Sequence, residues 1–290
     1  MFFVRFTPPQ GAGDGSESRA LAFALAYSYL RFVMTALFPD IVFGPVRSRR
    51  LGLSLGVNLL PPDSKLCSFD CIYCECGWNA EHPGPRRFND REAVRTQLEA
   101  ALRRMDAAGQ VPDVITFAGN GEPTLHPDFE RIIGDTIALR DALCPTARVS
   151  VLSNATQLHR AEVRRALLRV DQPILKLDSA FDATARRING PQSPDWNVRA
   201  VVEQMKRFEG RMILQTMFLR GTCGGAPVDN TSEEEVAAWL RRVEEIRPRQ
   251  VMVYSLDRDT PCPTLERVPR EELQRIAARV EALGIACSVA

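Results

Sequence analysis

Six short apolar runs recur along this chain, and each gives way to a longer stretch with helical spacing. The runs are Leu53–Leu59, Val114–Phe117, Val149–Leu152, Ile174–Leu177, Met212–Phe218 and Val251–Tyr254. Several are apolar on both faces, as parallel strands buried under helices are. The intervening stretches carry Arg, Glu, Ala and Leu at helical spacing over Arg91–Ala107, Asp128–Ala142, Arg160–Val170, Val198–Phe208, Ser232–Ile246 and Pro269–Leu283. Ser232 precedes three glutamates, which suits a helix start because acidic groups meet exposed N-terminal amides. Pro269 suits a first helical position, where its missing N–H costs nothing. Six β-then-α units predict parallel strands with right-handed crossovers. Six falls short of a closed (β/α)8 barrel, and an open doubly wound sheet alternates in the same way. In either architecture functional residues belong at the C-terminal ends of the strands. A terminal strand at Ile285–Val289 also fits.

The chain has 290 residues, 45% of them hydrophobic, enough for a sizeable core in one α/β unit. Its net charge of +1 gives no footprint for a long nucleic acid, although Arg47, Arg49 and Arg50 form a local basic cluster. Ala20–Phe38 is largely apolar, but Arg31 interrupts it and acidic Asp14 and Glu17 precede it, unlike a signal peptide or a bilayer span. The expectation is a cytoplasmic protein with no membrane association. Four of the eight cysteines lie between Cys67 and Cys76, and four are scattered at 144, 223, 262 and 287. Clustered thiols in such a chain read as metal ligands in a reducing compartment, and Cys223 and Cys262 as placed by chance.

The densest chemistry is Cys67-Ser-Phe-Asp-Cys71-Ile-Tyr-Cys74, just past the first apolar run. Four thiolates would close an iron–sulfur cluster coordinatively, whereas three leave one iron open for a ligand. A structural zinc knuckle on Cys67, Cys71, Cys74 and Cys76 is the bland alternative, but structural zinc usually joins two separated cysteine pairs. Cys76 is expected to be a nearby thiol only. After the second run comes Phe117-Ala-Gly119-Asn120-Gly121-Glu122-Pro-Thr124, where glycines let backbone approach a ligand closely. Lys176 and Asp178, two apart in the fourth run, point to one face. Facing a lumen they need partners, either a ligand or one another as an internal ion pair. Of the histidines, His126 follows the Glu122 loop, and His82 and His159 sit in polar surroundings. Each is expected at the surface or in a cap.

CxxxCxxC with an aromatic residue before the third cysteine, here Tyr73, resembles the signature of the radical S-adenosylmethionine (SAM) superfamily, and the likeness runs from about Phe43 to Leu283. The resemblance implies a partial (β/α)6 TIM-like barrel with parallel strands. It implies that Cys67, Cys71 and Cys74 hold a [4Fe–4S] cluster, with SAM chelating the open iron through its amino and carboxylate groups. An electron from the cluster would cleave SAM, releasing methionine and a 5′-deoxyadenosyl radical that abstracts hydrogen from a substrate. Reduced flavodoxin or ferredoxin is the implied donor. By the same resemblance Gly119, Gly121 and Glu122 meet the SAM ammonium, Lys176 and Asp178 its carboxylate and ribose, and Tyr73 its adenine. Ser153, Asn154 and Gln215 are further candidate contacts.

Phe43-Gly-Pro-Val-Arg-Ser-Arg49-Arg50-Leu-Gly52, Asn58-Leu-Leu-Pro-Pro62 and Lys176-Leu-Asp-Ser-Ala-Phe181 narrow the likeness. They resemble uncharacterised bacterial Fe–S oxidoreductases related to the tRNA wyosine-synthesis enzymes. Those enzymes carry a further cluster on N-terminal cysteines, and this chain has no cysteine before Cys67. Three function classes follow: a radical enzyme on an unidentified small molecule or peptide, an RNA-modifying radical enzyme, and a non-SAM electron carrier. The segments Gly221–Asn230 and Asp257–Glu266 are expected as loops bordering the substrate opening. Residues 1–40 are expected as an extension outside the core, with translation from Met1 or Met34, and 41–290 as a single domain.

Overall fold

The computed structural model describes residues 37–48, 51–84, 87–258 and 260–290. The chain divides into Met1–Met34 and Thr35–Ala290, and all that follows concerns the second unit. Whether Phe23, Leu25 and Tyr29 pack on a core lies outside the described residues, as do Arg49 and Arg50.

The strands are β1 (Val42–Ser48), β2 (Gly52–Val57), β3 (Val114–Phe117), β4 (Arg148–Ser153), β5 (Gln172–Lys176), β6 (Ile213–Met217), β7 (Leu219–Cys223), β8 (Ala226–Asp229), β9 (Gln250–Tyr254), β10 (Leu265–Arg267) and β11 (Ala286–Val289). The helices are α1 (Arg91–Ala107), α2 (Phe129–Leu143), α3 (Ala161–Leu167), α4 (Asp182–Asn189), α5 (Val198–Lys206), α6 (Glu233–Ile246) and α7 (Arg270–Glu281). The main sheet runs β1-β2-β3-β4-β5-β6-β9-β11. From β2 to β9 every pairing is parallel, which gives the six strands of a partial (β/α)6 barrel. β11 extends the sheet in parallel beyond β9, and β1 adds an antiparallel strand at the other edge. Among the described residues two edges remain, so the sheet they form is open.

Every residue of β3 and of β6 is buried. That is why these strands read as largely apolar runs instead of alternating ones, with Thr116, Gln215 and Thr216 the polar exceptions. Helices close over them through Leu98, Ile133, Phe129 and Trp239, which merge with Phe208 just past α5 and with Phe117 and Phe218 into one core. Each such side chain contributes about 1.5–3 kcal/mol on burial. Asp90 caps α1 by accepting from the Glu92 and Ala93 amides, and Ser232 caps α6 from the Glu235 amide. Pro269 stands one residue earlier than expected, at the cap of α7. Among the described residues no helix is long and apolar enough to cross a membrane.

Two expectations change. The stretch after β5 contains α4, and the two expected loops contain a second, antiparallel sheet, β10-β7-β8. Cys223 pairs with Ala226 across Gly224-Gly225, whose φ values of 57° and 77° make a tight hairpin turn. Gly-Gly is a hairpin signal at such a spacing. The chance placement expected of Cys223 and Cys262 is also corrected: a disulfide joins them, with Cα atoms 5.4 Å apart, tying the end of β7 to the segment before β10.

Candidate cluster and cofactor site

The cysteine loop leaves β2 and is stitched to the barrel mouth on two sides. On the first, Leu66 forms a parallel bridge with Gly121: its amide donates to the Asn120 carbonyl, and the Glu122 amide donates to the Leu66 carbonyl. Gly121, at φ +138°, allows this approach, since a Cβ there would lie 1.9 Å from the Leu66 oxygen. On the second, the Asp70 amide donates to the Asn189 and Gly190 carbonyls, and the Ile72 amide to that of Ile188, at the end of α4. Cys67 thus starts one residue after the first seam, and Cys71 lies inside the second.

Amide donors point at two of the sulfurs: Asn154 Nδ2 lies 3.6 Å from Cys67 Sγ and Asn189 Nδ2 lies 3.5 Å from Cys71 Sγ. Burial pushes the Cys67 thiol well above its usual value, with Cys71 adding to the effect, and raises Cys71 to about 12. Cys74 is instead brought down to about 6, first by a hydrogen bond from Cys76 and then by the Lys65 ammonium. Among the described residues no three Cys, His, Asp or Glu side chains close on one point as ligands of a single ion do. A cluster takes each thiolate at a different iron, so its ligands need not close on a single ion. Three thiols on one loop, two of them met by amide donors, fit such a group. Cys76 is buried, with Sγ 3.5 Å from the Gly119 carbonyl.

Glu122 is 2% exposed. Its Oε1 accepts from the Ser153 hydroxyl (2.8 Å) and from Thr124, and its Oε2 accepts from the Asn154 amide (2.6 Å). Burial raises its pKa, although these donors pull the other way. Among the described residues no basic side chain pairs with it. Ser153 and Asn154, at the C-terminal end of β4, fix the carboxylate and join it to the Cys67 sulfur through Asn154. Gly119, at φ +144°, packs against the Asn58 amide group, which a Cβ would meet at 2.5 Å. Asn120, which splits the glycine pair, is fully buried: its Nδ2 donates to the Pro61 and Phe38 carbonyls, and its Oδ1 accepts from the Phe38 amide.

Lys176 and Asp178 lie 3.7 Å apart, as the internal ion pair that the spacing allowed. The Lys176 ammonium donates to the Tyr254 hydroxyl at 2.9 Å and sits over the Tyr73 and Tyr254 rings. Burial is the largest single influence and opposes its charge, but Asp178, Tyr254 and Cys71 together outweigh it and its pKa is raised. Asp178 is enclosed and fully engaged. Its Oδ2 accepts from Tyr73 Oη and from Asn189 Nδ2 (2.7 Å), and its Oδ1 from the Met217 amide (2.8 Å). Burial first, then Asp178, holds the Tyr73 phenol protonated. Gln215 on β6 is in register with Lys176 on β5, so both belong to one layer of the mouth.

Motif and spacing assign no place in this site to Lys65, Asn58, Asn189 or Tyr254. Asn58 carried a signal, a polar residue inside an apolar run; Lys65 looked like any surface lysine. His126 is buried, correcting the surface expectation while keeping the cap: its Nδ1 accepts from the Asp128 amide and its Nε2 faces the Asn89 carbonyl.

A family model described as the Radical SAM superfamily matches residues 62–222, more than half of the chain. The chain belongs to the radical SAM superfamily. A protein of Brachyspira hyodysenteriae named GTPase Obg is 30% identical over 246 residues, covering 83% of this radical SAM chain and 33% of that protein. A UPF0026 protein of Methanocaldococcus jannaschii is 32% identical over 214 residues, covering 72% of this chain and 61% of the relative. The chain thus spans less than two thirds of these first relatives. Among solved structures, a radical SAM methyltransferase from Sphaerobacter thermophilus has a TM-score of 0.60 at 16% identity, over 82% of this chain and 65% of that one. TYW1 with a lysine–pyruvate adduct bound has a TM-score of 0.55 at 16% identity, over 79% and 73%. At such identities these two share the radical SAM fold with this chain.

Proposed function

We propose that this radical SAM chain is an enzyme in which Cys67, Cys71 and Cys74 hold a [4Fe–4S] cluster with one open iron, and in which the Glu122–Lys176 mouth binds SAM. When bound, the pair supplies one-electron cleavage of SAM and the 5′-deoxyadenosyl radical that takes hydrogen from a substrate.

One observation carries the reading. Glu122 is a buried carboxylate with no cation beside it among the described residues, fixed by Ser153 and Asn154 within electrostatic reach of Cys67. Such a group is costly unless a positive ligand completes it. The methionine ammonium of SAM is that ligand, with Gly119 and Gly121 allowing close backbone approach. Lys176, held between two tyrosine rings and 16% exposed at its side chain, is suited to the carboxylate or ribose. Asp178 acts through Lys176, Tyr73 and Asn189, since its own oxygens are taken. Gln215 extends the same layer. Reduced flavodoxin or ferredoxin is the electron donor, and a small molecule, peptide or RNA the substrate.

The test is anaerobic reconstitution, reduction and addition of SAM, with 5′-deoxyadenosine as readout. The wild type is expected to form it; Glu122→Ala is expected to keep the cluster absorbance and lose SAM binding. A reduced cluster that leaves SAM intact would place the chain among electron carriers.

A further inference from the structure

Lys65 is the odd member of the cysteine loop. Its side chain is 1% exposed, and lysines are almost never so buried without compensation. Its ammonium donates to the Gly77 carbonyl and lies 3.4 Å from Asp70 Oδ1. That compensation is partial, because Asp70 Oδ1 also accepts from the Asn79 amide at 2.8 Å and its side chain is 23% exposed. The loop closes around the lysine: its amide donates to the His82 carbonyl, while Asn79 Nδ2 donates to the Cys67 and Phe69 carbonyls. Cys67, Cys71 and Cys74 all fall within electrostatic reach of the one ammonium.

The other charges nearby are engaged elsewhere or act on one sulfur. Glu75 is exposed and paired with Arg258, and Lys176 reaches Cys71 but is held by Asp178 and Tyr254. Glu122 reaches Cys67 with the opposite sign.

We propose that Lys65 is the fixed counter-charge of the cluster, holding its reduction potential up. The inference rests on the cluster reading above. Three thiolates around a [4Fe–4S]2+ core carry one net negative charge, and an added electron makes it two. A buried cation favours the more negative state, and burial protects that preference from salt screening. Lys65 is thus a tuning residue that acts on the electron's entry without touching a substrate.

The experiment compares wild type, Lys65→Met and Lys65→Arg, each reconstituted anaerobically. Iron and sulfide content and the midpoint potential are read separately. Lys65→Met is expected to load a cluster whose potential falls by about 59 mV or more, a tenfold change in the one-electron equilibrium. Lys65→Arg should stay near wild type. Equal potentials in wild type and a loaded Lys65→Met overturn the proposal. Iron lost from Lys65→Met but kept by Lys65→Arg supports it, the charge then being needed to hold the anionic group. Iron lost from both overturns it in favour of a purely structural lysine. A wild type that takes no cluster fails the cluster reading itself, before any potential is measured, and this inference falls with it.

Discussion

At φ +138° and with the Leu66 carbonyl oxygen 1.9 Å from where a Cβ would sit, position 121 tolerates glycine alone. Its neighbour Glu122 has its carboxyl group fixed in place by Ser153, Thr124 and the Asn154 amide. The two residues divide the work: one lets the cysteine loop lie against the barrel, the other presents a negative group beside it. Gly121→Ala strains the backbone and opens the first seam, so a loss of at least about 1–3 kcal/mol is expected. Thermal unfolding of the apoprotein reads that loss directly, and iron uptake on reconstitution should fall with it. A variant as stable and as iron-loaded as wild type would remove the seam from the account.

Among the elements, α4 contributes most for its length. Only two turns long, it delivers Asn189 and Gly190 to the second seam. Asn189 Nδ2 faces Cys71 Sγ, Tyr73 Oη and Asp178 Oδ2, so one amide coordinates the loop, the aromatic and the buried acid. Removing it in Asn189→Ala leaves Asp178 short of a donor in a buried site, which costs about 1–3 kcal/mol. The expected result is a lower melting temperature together with weaker iron retention, read from metal content after gel filtration. Lower stability with full iron retention would confine Asn189 to packing. The sheet of β7, β8 and β10 is anchored differently, by the Cys223–Cys262 bridge and by Asn230, whose Nδ2 donates to the Asp178 and Met217 carbonyls.

Over the whole molecule, what could be read in advance follows burial. β3 and β6 were legible because burial on both faces leaves them largely apolar, the other barrel strands because most of their buried positions carry Val, Ile, Leu or Met, and α1 because a long amphipathic stretch marks it. α4 was not legible: Asp182, Arg186 and Arg187 crowd eight residues, too few to display a period. The Gly224-Gly225 hairpin was legible in principle, but Pro227 and the surrounding glycines made the stretch read as loop. In the site, the cysteines and the Gly119–Glu122 segment carry their chemistry in spacing, whereas Lys65, Asn189 and Tyr254 acquire theirs only through contacts made by folding. Asp178 shows the converse, a residue whose spacing suggested a ligand contact and whose oxygens the fold has already occupied.

The whole arrangement has one purpose in this account: a cluster on three thiols with an iron left for SAM. Electron paramagnetic resonance of the reconstituted, reduced protein with and without SAM tests that most directly. A [4Fe–4S] signal is expected that changes shape when SAM is added, in wild type and in Cys76→Ala alike, and that is missing when Cys67, Cys71 or Cys74 is replaced by Ala. A signal indifferent to SAM, or one that survives loss of a triad cysteine but not of Cys76, would contradict the account.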